Sequence, residues 1–338
     1  MKLIKTTDAV GQVLCHDMTQ IIPGEYKGPR FRKGHIVTEE DIPVLLSMGK
    51  ENLYIFEMDE HMLHENDAAE ILCQLCKGKN IRRGEVKEGK IELSADIDGL
   101  FTLDRGKLNA VNSIEELMIA TRHGDTAVRK GDKLAGTRVI PLVIDKAKLK
   151  KAKDIVARVP ILNVLPYALK TAAVITTGSE VFRGRIEDKF TPVLIEKLHA
   201  FDITVTEHIT VDDKVEHITE AIKSVKEKAD MILCTGGMSV DPDDQTPGAI
   251  RLSGADIVTY GAPVLPGAMF LLGYFDDGTP VMGLPGCVMY AKATIFDLVL
   301  PRIAAGIRLT KQDFVAYGEG GLCLGCELCS YPRCPFGK

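Results

Sequence analysis

The second half of this 338-residue sequence predicts an α/β fold: an open, mostly parallel sheet with helices on both faces, preceded by an α+β N-terminal region. Three observations support it. Apolar, β-branched runs at 171–178, 204–206 and 229–234 alternate with helix-forming segments at 188–198 and 215–227, the order that builds parallel β-α-β units. Two of the runs end in glycine turns, Thr177-Gly178-Ser179-Glu180 and Thr235-Gly236-Gly237. A third glycine turn, Gly283-Leu284-Pro285-Gly286, precedes an apolar helical stretch from about 288 to 305. In such sheets ligands sit beyond the carboxyl ends of the strands, where two of these turns fall.

The N-terminal half reads as follows. Residues 1–57 alternate short apolar runs with glycine turns, and Thr38 with Asp41 caps a helix that Gly49 ends. A second helix spans 67–77 and closes at Gly78. His61 and His64 precede it and Cys73 and Cys76 lie within it; these four are either a zinc set or ordinary core residues, and their spacing does not match a zinc finger. Residues 83–104 are rich in strand formers, Ser113 with Glu116 suggests a capped helix running to Gly124, and Arg129-Lys130-Gly131-Asp132 signals a hairpin. A lysine-rich helix at 146–153 reads as a solvated spacer. The resulting division is an α+β region at 1–157, a linker at 158–170, the α/β domain at 171–306 and a cysteine-rich tail at 307–338.

Composition narrows the function classes. With 42 basic and 47 acidic residues the formal net charge is −5, so no basic surplus points to nucleic acid or an anionic membrane. The first residues lack the apolar core of a signal peptide, and no stretch reaches the roughly 18 apolar residues of a membrane span. A cytoplasmic protein is expected, and its nine cysteines are then expected to be thiols or metal ligands rather than disulfides.

The stretch from Leu233 to Pro247 is the chemical centre of the sequence. Gly236 and Gly237 allow close backbone approach to a ligand, and the helix opening at Thr246-Pro247 adds a positive dipole end suited to phosphate. Between them lie Ser239, Asp241, Asp243 and Asp244. Carboxylates repel a bare phosphate, so a hard cation such as Mg²⁺, held by Asp241 and Asp244, reconciles the two features.

Four segments resemble the molybdopterin-binding domain of molybdopterin molybdotransferases, molybdopterin adenylyltransferases, the catalytic domains of gephyrin and competence-damage-inducible proteins. They are Thr177-Gly178-Ser179-Glu180, Gly184-Arg185-Ile186-Glu187-Asp188, Thr235-Gly236-Gly237-Met238-Ser239 with Asp244-Gln245-Thr246, and Gly283-Leu284-Pro285-Gly286. The resemblance covers about residues 170–306 and implies a site for molybdopterin or its adenylylated form. Asp188 and Asp244 match the family's acidic positions for substrate and Mg²⁺. Thr177, Gly178, Ser179, Glu180, Thr235, Gly236, Gly237, Ser239, Thr246, Pro285 and Gly286 match the loops around it. Residues 32–56 look similar to a segment in the front part of a molybdotransferase. By the same analogy the protein is expected to form an oligomer.

The sequence also departs from the molybdotransferase pattern. It has no Ser-x-x-Asp-Gly-Tyr-Ala segment, the usual Lys-Pro-Gly-Lys-Pro becomes Val264-Leu265-Pro266-Gly267-Ala268, and the Asn-Pro after the last glycine becomes Cys287-Val288. Only 33 residues (338 − 305) follow Ala305, too few for the family's terminal β-barrel. In its place Cys323, Cys326, Cys329 and Cys334 approach the bacterial ferredoxin run, with four residues in the last gap where that run has three. Four thiolates suit a [4Fe–4S] cluster or Zn²⁺ equally. The functional expectation is molybdenum cofactor biosynthesis by a Mg²⁺-dependent, molybdotransferase-like protein. The alternatives are a non-catalytic carrier that hands the cofactor to an apo-molybdoenzyme and, less well matched, a nucleotide pyrophosphatase.

Overall fold

The computed structural model describes residues 2–22, 25–55, 61–239, 241–242 and 244–338. The chain divides into two units, one of Met1–Ile97, Leu103–Arg122 and Lys130–Val164, the other of Asp98–Thr102, His123–Arg129 and Leu165–Lys338. The second unit therefore takes two short segments from the first half of the chain. It also takes in residues 307–338, which the sequence alone set apart as a tail. Among the described residues no helix is long and apolar enough to cross a membrane.

In the first unit, the strands Ile81–Arg83, Lys90–Ala95, Lys133–Val139 and Leu117–Thr121 form an antiparallel sheet in that order. The helix expected at 113–124 is absent. Ser113 instead ends the helix Arg105–Asn112, and Leu117–Thr121 is a strand, because Leu117 and Ile119 alternate inward with period two and have a partner strand to cover. Strands flank the Arg129–Asp132 turn but do not pair with each other: 126–128 pairs with 99–101, and Lys133–Val139 pairs with Lys90–Ala95. The expected hairpin therefore does not form.

His64, Cys73 and Cys76 have structural roles in this unit. His64 caps the helix Glu65–Cys76, its Nδ1 accepting from the Asn66 amide at 3.2 Å while Nε2 donates to the Cys15 carbonyl at 2.7 Å. Both ring nitrogens are thereby engaged. Cys73 and Cys76 are buried, and burial pushes both thiols up, away from the thiolate a metal needs.

The second unit is built on a six-stranded sheet. In chain order its strands are β1 (Thr171–Thr177), β2 (Thr204–Val211), β3 (Met231–Thr235), β4 (Asp256–Tyr260), β5 (Leu271–Tyr274) and β6 (Pro280–Leu284). Their spatial order is β2-β1-β3-β6-β5-β4; the first four are parallel and β5 runs antiparallel to both neighbours. The central strands read as continuous apolar runs because both faces are covered. Ala172, Val174, Met231, Leu233, Met282 and Leu284 face one core, and Ala173, Ile175, Ile232, Cys234 and Val281 face the other.

The helices complete these cores. α1 (Ser179–Phe182) follows β1, and α2 (Phe190–His199) joins the first core through Phe190, Leu194 and Leu198. α3 (Val215–Val225) and α4 (Thr246–Leu252) cover the opposite face. The single helix expected from about 288 to 305 is split into a 3₁₀ turn at Gly286–Met289 and α5 (Ile295–Ala304), which Thr294 and Asp297 start with a capping box. Residues after α5 pack back on it: α6 (Lys311–Val315) buries Phe314, Phe336 is buried near the terminus, and the Tyr331 hydroxyl donates to the Asp297 carbonyl at 2.8 Å.

This packing separates two neighbouring positions of α2. Leu194 is fully buried and Ile195 is 47% exposed, so Leu194→Ala is expected to lower unfolding free energy by about 2–5 kcal/mol and Ile195→Ala by less than about 0.5 kcal/mol. Chemical denaturation of both variants checks this, and equal losses would place the wrong face of α2 inward.

Candidate functional site

The carboxyl ends of β1 and β3 lie side by side, with Thr176 opposite Thr235 in the parallel register. The turn after β3 is pressed against the end of β1. A Cβ on Gly236 would stand 2.3 Å from the Thr177 carbonyl oxygen, and Gly236 has φ +84°, so no other residue fits there without moving backbone. Thr246, at the start of α4, ties the turn down: its hydroxyl donates to the Gly236 carbonyl at 2.8 Å and lies 3.2 Å from the Thr177 hydroxyl.

Beside this contact is a cavity of about 560 Å³, lined among others by Thr177, Val181, Ile186, Asp188, Thr235 and Gly236. Lys189, Phe190 and Met289 also contribute to its wall. Its size falls within the range of about 300–1,000 Å³ typical of small-molecule sites. The Thr235 hydroxyl is buried and has no hydrogen-bond partner among the described residues. A buried hydroxyl without a partner is costly, and Thr235 is one of the residues that line the cavity.

Asp188 is held from all sides. Its Oδ1 accepts from the amides of Phe190 at 2.8 Å and Thr191 at 3.1 Å, and its Oδ2 accepts from the hydroxyls of Thr191 at 2.6 Å and Thr176 at 2.9 Å. His208 Nε2, from β2, lies 3.0 Å from the Thr176 hydroxyl and 3.3 Å from Asp188 Oδ2. Burial by itself raises the Asp188 pKa. The hydrogen bonds from Thr191, Phe190 and Thr176 outweigh it and hold the group below the usual carboxylate range. Asp188, two residues before α2 begins, thus holds the first two amides of that helix and also forms part of the cavity wall.

The acidic loop folds on itself. Asp244 Oδ2 accepts from the Ser239 amide at 2.7 Å, and the Asp244 amide donates to the Asp241 carbonyl at 2.9 Å. The Tyr260 hydroxyl, from the edge strand β4, donates to the Met238 carbonyl at 3.1 Å and anchors the loop from outside. Burial, then the nearby Asp244 carboxylate, raise the Tyr260 pKa. Asp243 lies outside the described residues.

The structure brings Thr177, Asp188, Thr235 and Gly236 to one cavity. Gly178, Ser179 and Glu180 start the adjoining helix α1; Gly237, Ser239, Asp241, Asp244 and Thr246 form the neighbouring loop; Pro285 and Gly286 lead into the 3₁₀ turn that supplies Met289. Two of the amides at the first two turns are already engaged. Asp213 accepts from the Ser179 amide at 2.7 Å, and the Thr246 amide donates to the Gly237 carbonyl at 3.2 Å. Helices α1 and α4, of four and seven residues, are also too short to act as dipole sites. Sequence reasoning missed Asp213, His208, Tyr260 and the apolar wall of Val181, Ile186, Phe190 and Met289. The Asp212-Asp213 pair directly after β2 was the one signal available for them. The four cysteines 323, 326, 329 and 334 are not gathered: among the described residues no three His, Cys, Asp or Glu side chains stand together as metal ligands.

Two predictions follow from these contacts. Gly236→Ala is expected to destabilise by roughly 1–3 kcal/mol, whereas Gly248→Ala, whose new Cβ meets nothing within 4 Å, is neutral or stabilising by up to about 1 kcal/mol; thermal unfolding separates them. Asp188 has a folded pKa below its unfolded value of about 3.9. Its stabilisation is therefore present above that pH and lost as pH falls through the folded pKa. Asp188→Asn should cost about 1–2 kcal/mol at pH 7 and flatten the loss of stability on acidification, and acid-titrated denaturation curves parallel to wild type would contradict it.

Comparison with known proteins agrees with the glycine turns. Residues 173–305 match the family profile described as a probable molybdopterin binding domain, and residues 3–57 match a domain of unknown function. A molybdopterin molybdenumtransferase of Staphylococcus epidermidis is 25% identical over 306 residues, covering 84% of this chain and 66% of that protein. A competence-damage inducible protein of Bacillus cereus is 34% identical over 94 residues, 28% of this chain and 23% of that protein. The matches thus span less than two thirds of the length of these relatives. The molybdopterin biosynthesis enzyme MoaB of Thermus thermophilus aligns over 41% of this chain and 98% of its own, at 21% identity and a TM-score of 0.35. The glycine turns and nearly all of the sheet that carries them fall within residues 173–305, the segment that matches the probable molybdopterin binding domain profile.

Proposed function

We propose that the second unit binds molybdopterin, or its adenylylated form, in the cavity beside Thr235, and that the protein acts in molybdenum cofactor biosynthesis as a molybdotransferase-like protein. The observation that carries this reading is the buried, unpartnered Thr235 hydroxyl at the wall of a ligand-sized cavity. A polar ligand atom completes that hydroxyl. The apolar side chains of Val181, Ile186, Phe190 and Met289 suit the flat faces of a pterin, and Lys189 offers a cation to a phosphate. Asp188 works here as a positioning residue, fixing Thr176, Thr191 and the start of α2 around the ligand.

Magnesium fits the donor set of the acidic loop. Asp244 uses one oxygen on the Ser239 amide and keeps the other without a partner among the described residues. Mg²⁺ is commonly held by one or two carboxylates together with substrate phosphates, so the absence of a cluster of three ligating side chains among the described residues does not conflict with it. Asp244, with Asp241, would hold the ion, which when bound neutralises charge on the phosphate oxygens.

One observation favours a carrier that binds cofactor and passes it to an apo-molybdoenzyme. The loop in place of the family's lysine stretch offers no cation: Val264 is buried, and the Leu265 backbone is hydrogen-bonded to Gly321 and Cys323. Turnover of adenylylated molybdopterin with molybdate distinguishes the two, since a carrier binds both forms and releases no adenylate.

Thr235→Val keeps shape and removes only the hydroxyl. It is expected to leave stability unchanged or raise it by about 1 kcal/mol while weakening molybdopterin binding about tenfold in anaerobic calorimetry. Unchanged affinity would remove the carrying observation. Asp244→Asn is expected to abolish the Mg²⁺ dependence of that affinity without unfolding the chain, and a retained dependence would reassign the ion.

A further inference from the structure

The terminal cysteine run has no part in the pterin reading, and its anchoring is unusual. The main chain closes a loop between Gly320 and Gly337, with the Gly337 amide donating to the Gly320 carbonyl at 2.9 Å. Only glycine fits this clasp. A Cβ on Gly320 would stand 2.3 Å from the Lys338 carbonyl oxygen, one on Gly321 2.3 Å from the Pro263 carbonyl oxygen, and one on Gly337 2.3 Å from a Leu298 methyl. One arm is pinned by Leu265, whose amide donates to the Gly321 carbonyl and whose carbonyl accepts from the Cys323 amide, each at 2.8 Å. The other arm is pinned by Tyr331 through its bond to the Asp297 carbonyl.

The base of this loop sits at the ligand end of the sheet. Thr235 is opposite Leu284 at the ends of β3 and β6, Gly283 is opposite Leu271 at the start of β5, and Leu271 is opposite Tyr260 at the end of β4. The segment 261–270, which carries Leu265, therefore lies on the same rim as the glycine turns.

Within the closed loop the middle is unrestrained. Cys323 and Cys334 are half-buried against the core of the unit, while Cys326 and Cys329 are exposed. Among the described residues, Leu324–Cys329 make no backbone hydrogen bond. Gly325 turns the chain between the first two cysteines at φ +64°, with open space around it. Leu322, Leu324 and Leu328, interleaved with the thiols, are 62%, 70% and 89% exposed. Such exposure of three leucines is unfavourable in water, and it is relieved if the loop closes on something that the leucines cover.

We propose that Cys323, Cys326, Cys329 and Cys334 form a thiolate metal site that assembles when the loop 324–330 closes, placing a soft metal centre on the rim of the molybdopterin-type domain. Binding and loop ordering are coupled in sites of this kind. Gaps of two, two and four residues let four sulfurs reach one centre, and thiols give up their protons to solvent as they ligate. Four thiolates take a single Zn²⁺ or a [4Fe–4S] cluster, and the chemistry of the donors is the same for both. The flanking leucines then exclude water from the centre.

The test uses the full chain purified anaerobically, with zinc, iron and acid-labile sulfide measured before and after reconstitution with ferrous iron, sulfide and thiol, or with zinc. The expected result is either about one zinc or about four irons and four sulfides per chain, the latter with absorption near roughly 400 nm. The double variant Cys326→Ser, Cys329→Ser, which changes two exposed side chains, should lose at least about nine tenths of that metal, and Cys287→Ser should keep it. Absence of stoichiometric metal under every condition overturns the proposal, and so does metal retained by the double variant. Molybdopterin calorimetry on the same samples reports on the pterin site separately, so failure of one reading leaves the other standing.

Discussion

The contact on which the second unit depends is the approach of Gly236 to the Thr177 carbonyl. It lets the turn after β3 lie flat against the end of β1, so that two parallel strands deliver their terminal threonines to one place. Thr246 then bridges the two turns with its hydroxyl, and the start of α4 is fixed as a consequence. A side chain at position 236 would separate the strand ends and open the cavity wall. The glycine is therefore a packing requirement first, and the site inherits its shape from it.

The second constraint is polar satisfaction at the same rim. Thr176, Thr191, Asp188 and His208 form a closed set in which the carboxylate receives four hydrogen bonds. Thr235, one strand over, receives none. Buried polar groups are nearly always paired, so the two neighbouring threonines differ: Thr176 is satisfied within the protein and Thr235 is not. The acidic loop shows the same division, with one Asp244 oxygen used on the backbone and the other turned to no described partner.

Much of this was legible in the sequence, and the rest was not for physical reasons. The strand and helix order of 171–305 follows from apolar runs long enough to be buried on both faces, and the glycine turns mark where the chain reverses. What the order of residues does not encode is which amides are already taken. The Ser179 and Thr246 amides at the glycine turns are taken by Asp213 and by the Gly237 carbonyl through contacts made only after folding. Likewise Asp188 reads as an acid in a loop, and only the fold places its carboxylate on the amides of Phe190 and Thr191 at the start of α2. In the first unit, Ser113 with Glu116 gives a local helix signal just ahead of Leu117–Thr121, and pairing of that segment with the strand Lys133–Val139 overrides it. The anchoring of the cysteine loop through Leu265 spans 57 residues (322 − 265) of sequence and is visible only in three dimensions.

The central claim is that the ligand seat lies between the ends of β1 and β3. It is tested most directly by amide hydrogen exchange of the full chain, with and without molybdopterin, under anaerobic conditions with Mg²⁺. Slowed exchange concentrated in residues 176–191 and 235–246 is the result this account predicts. Unchanged exchange there, with protection confined to the first unit, would contradict it.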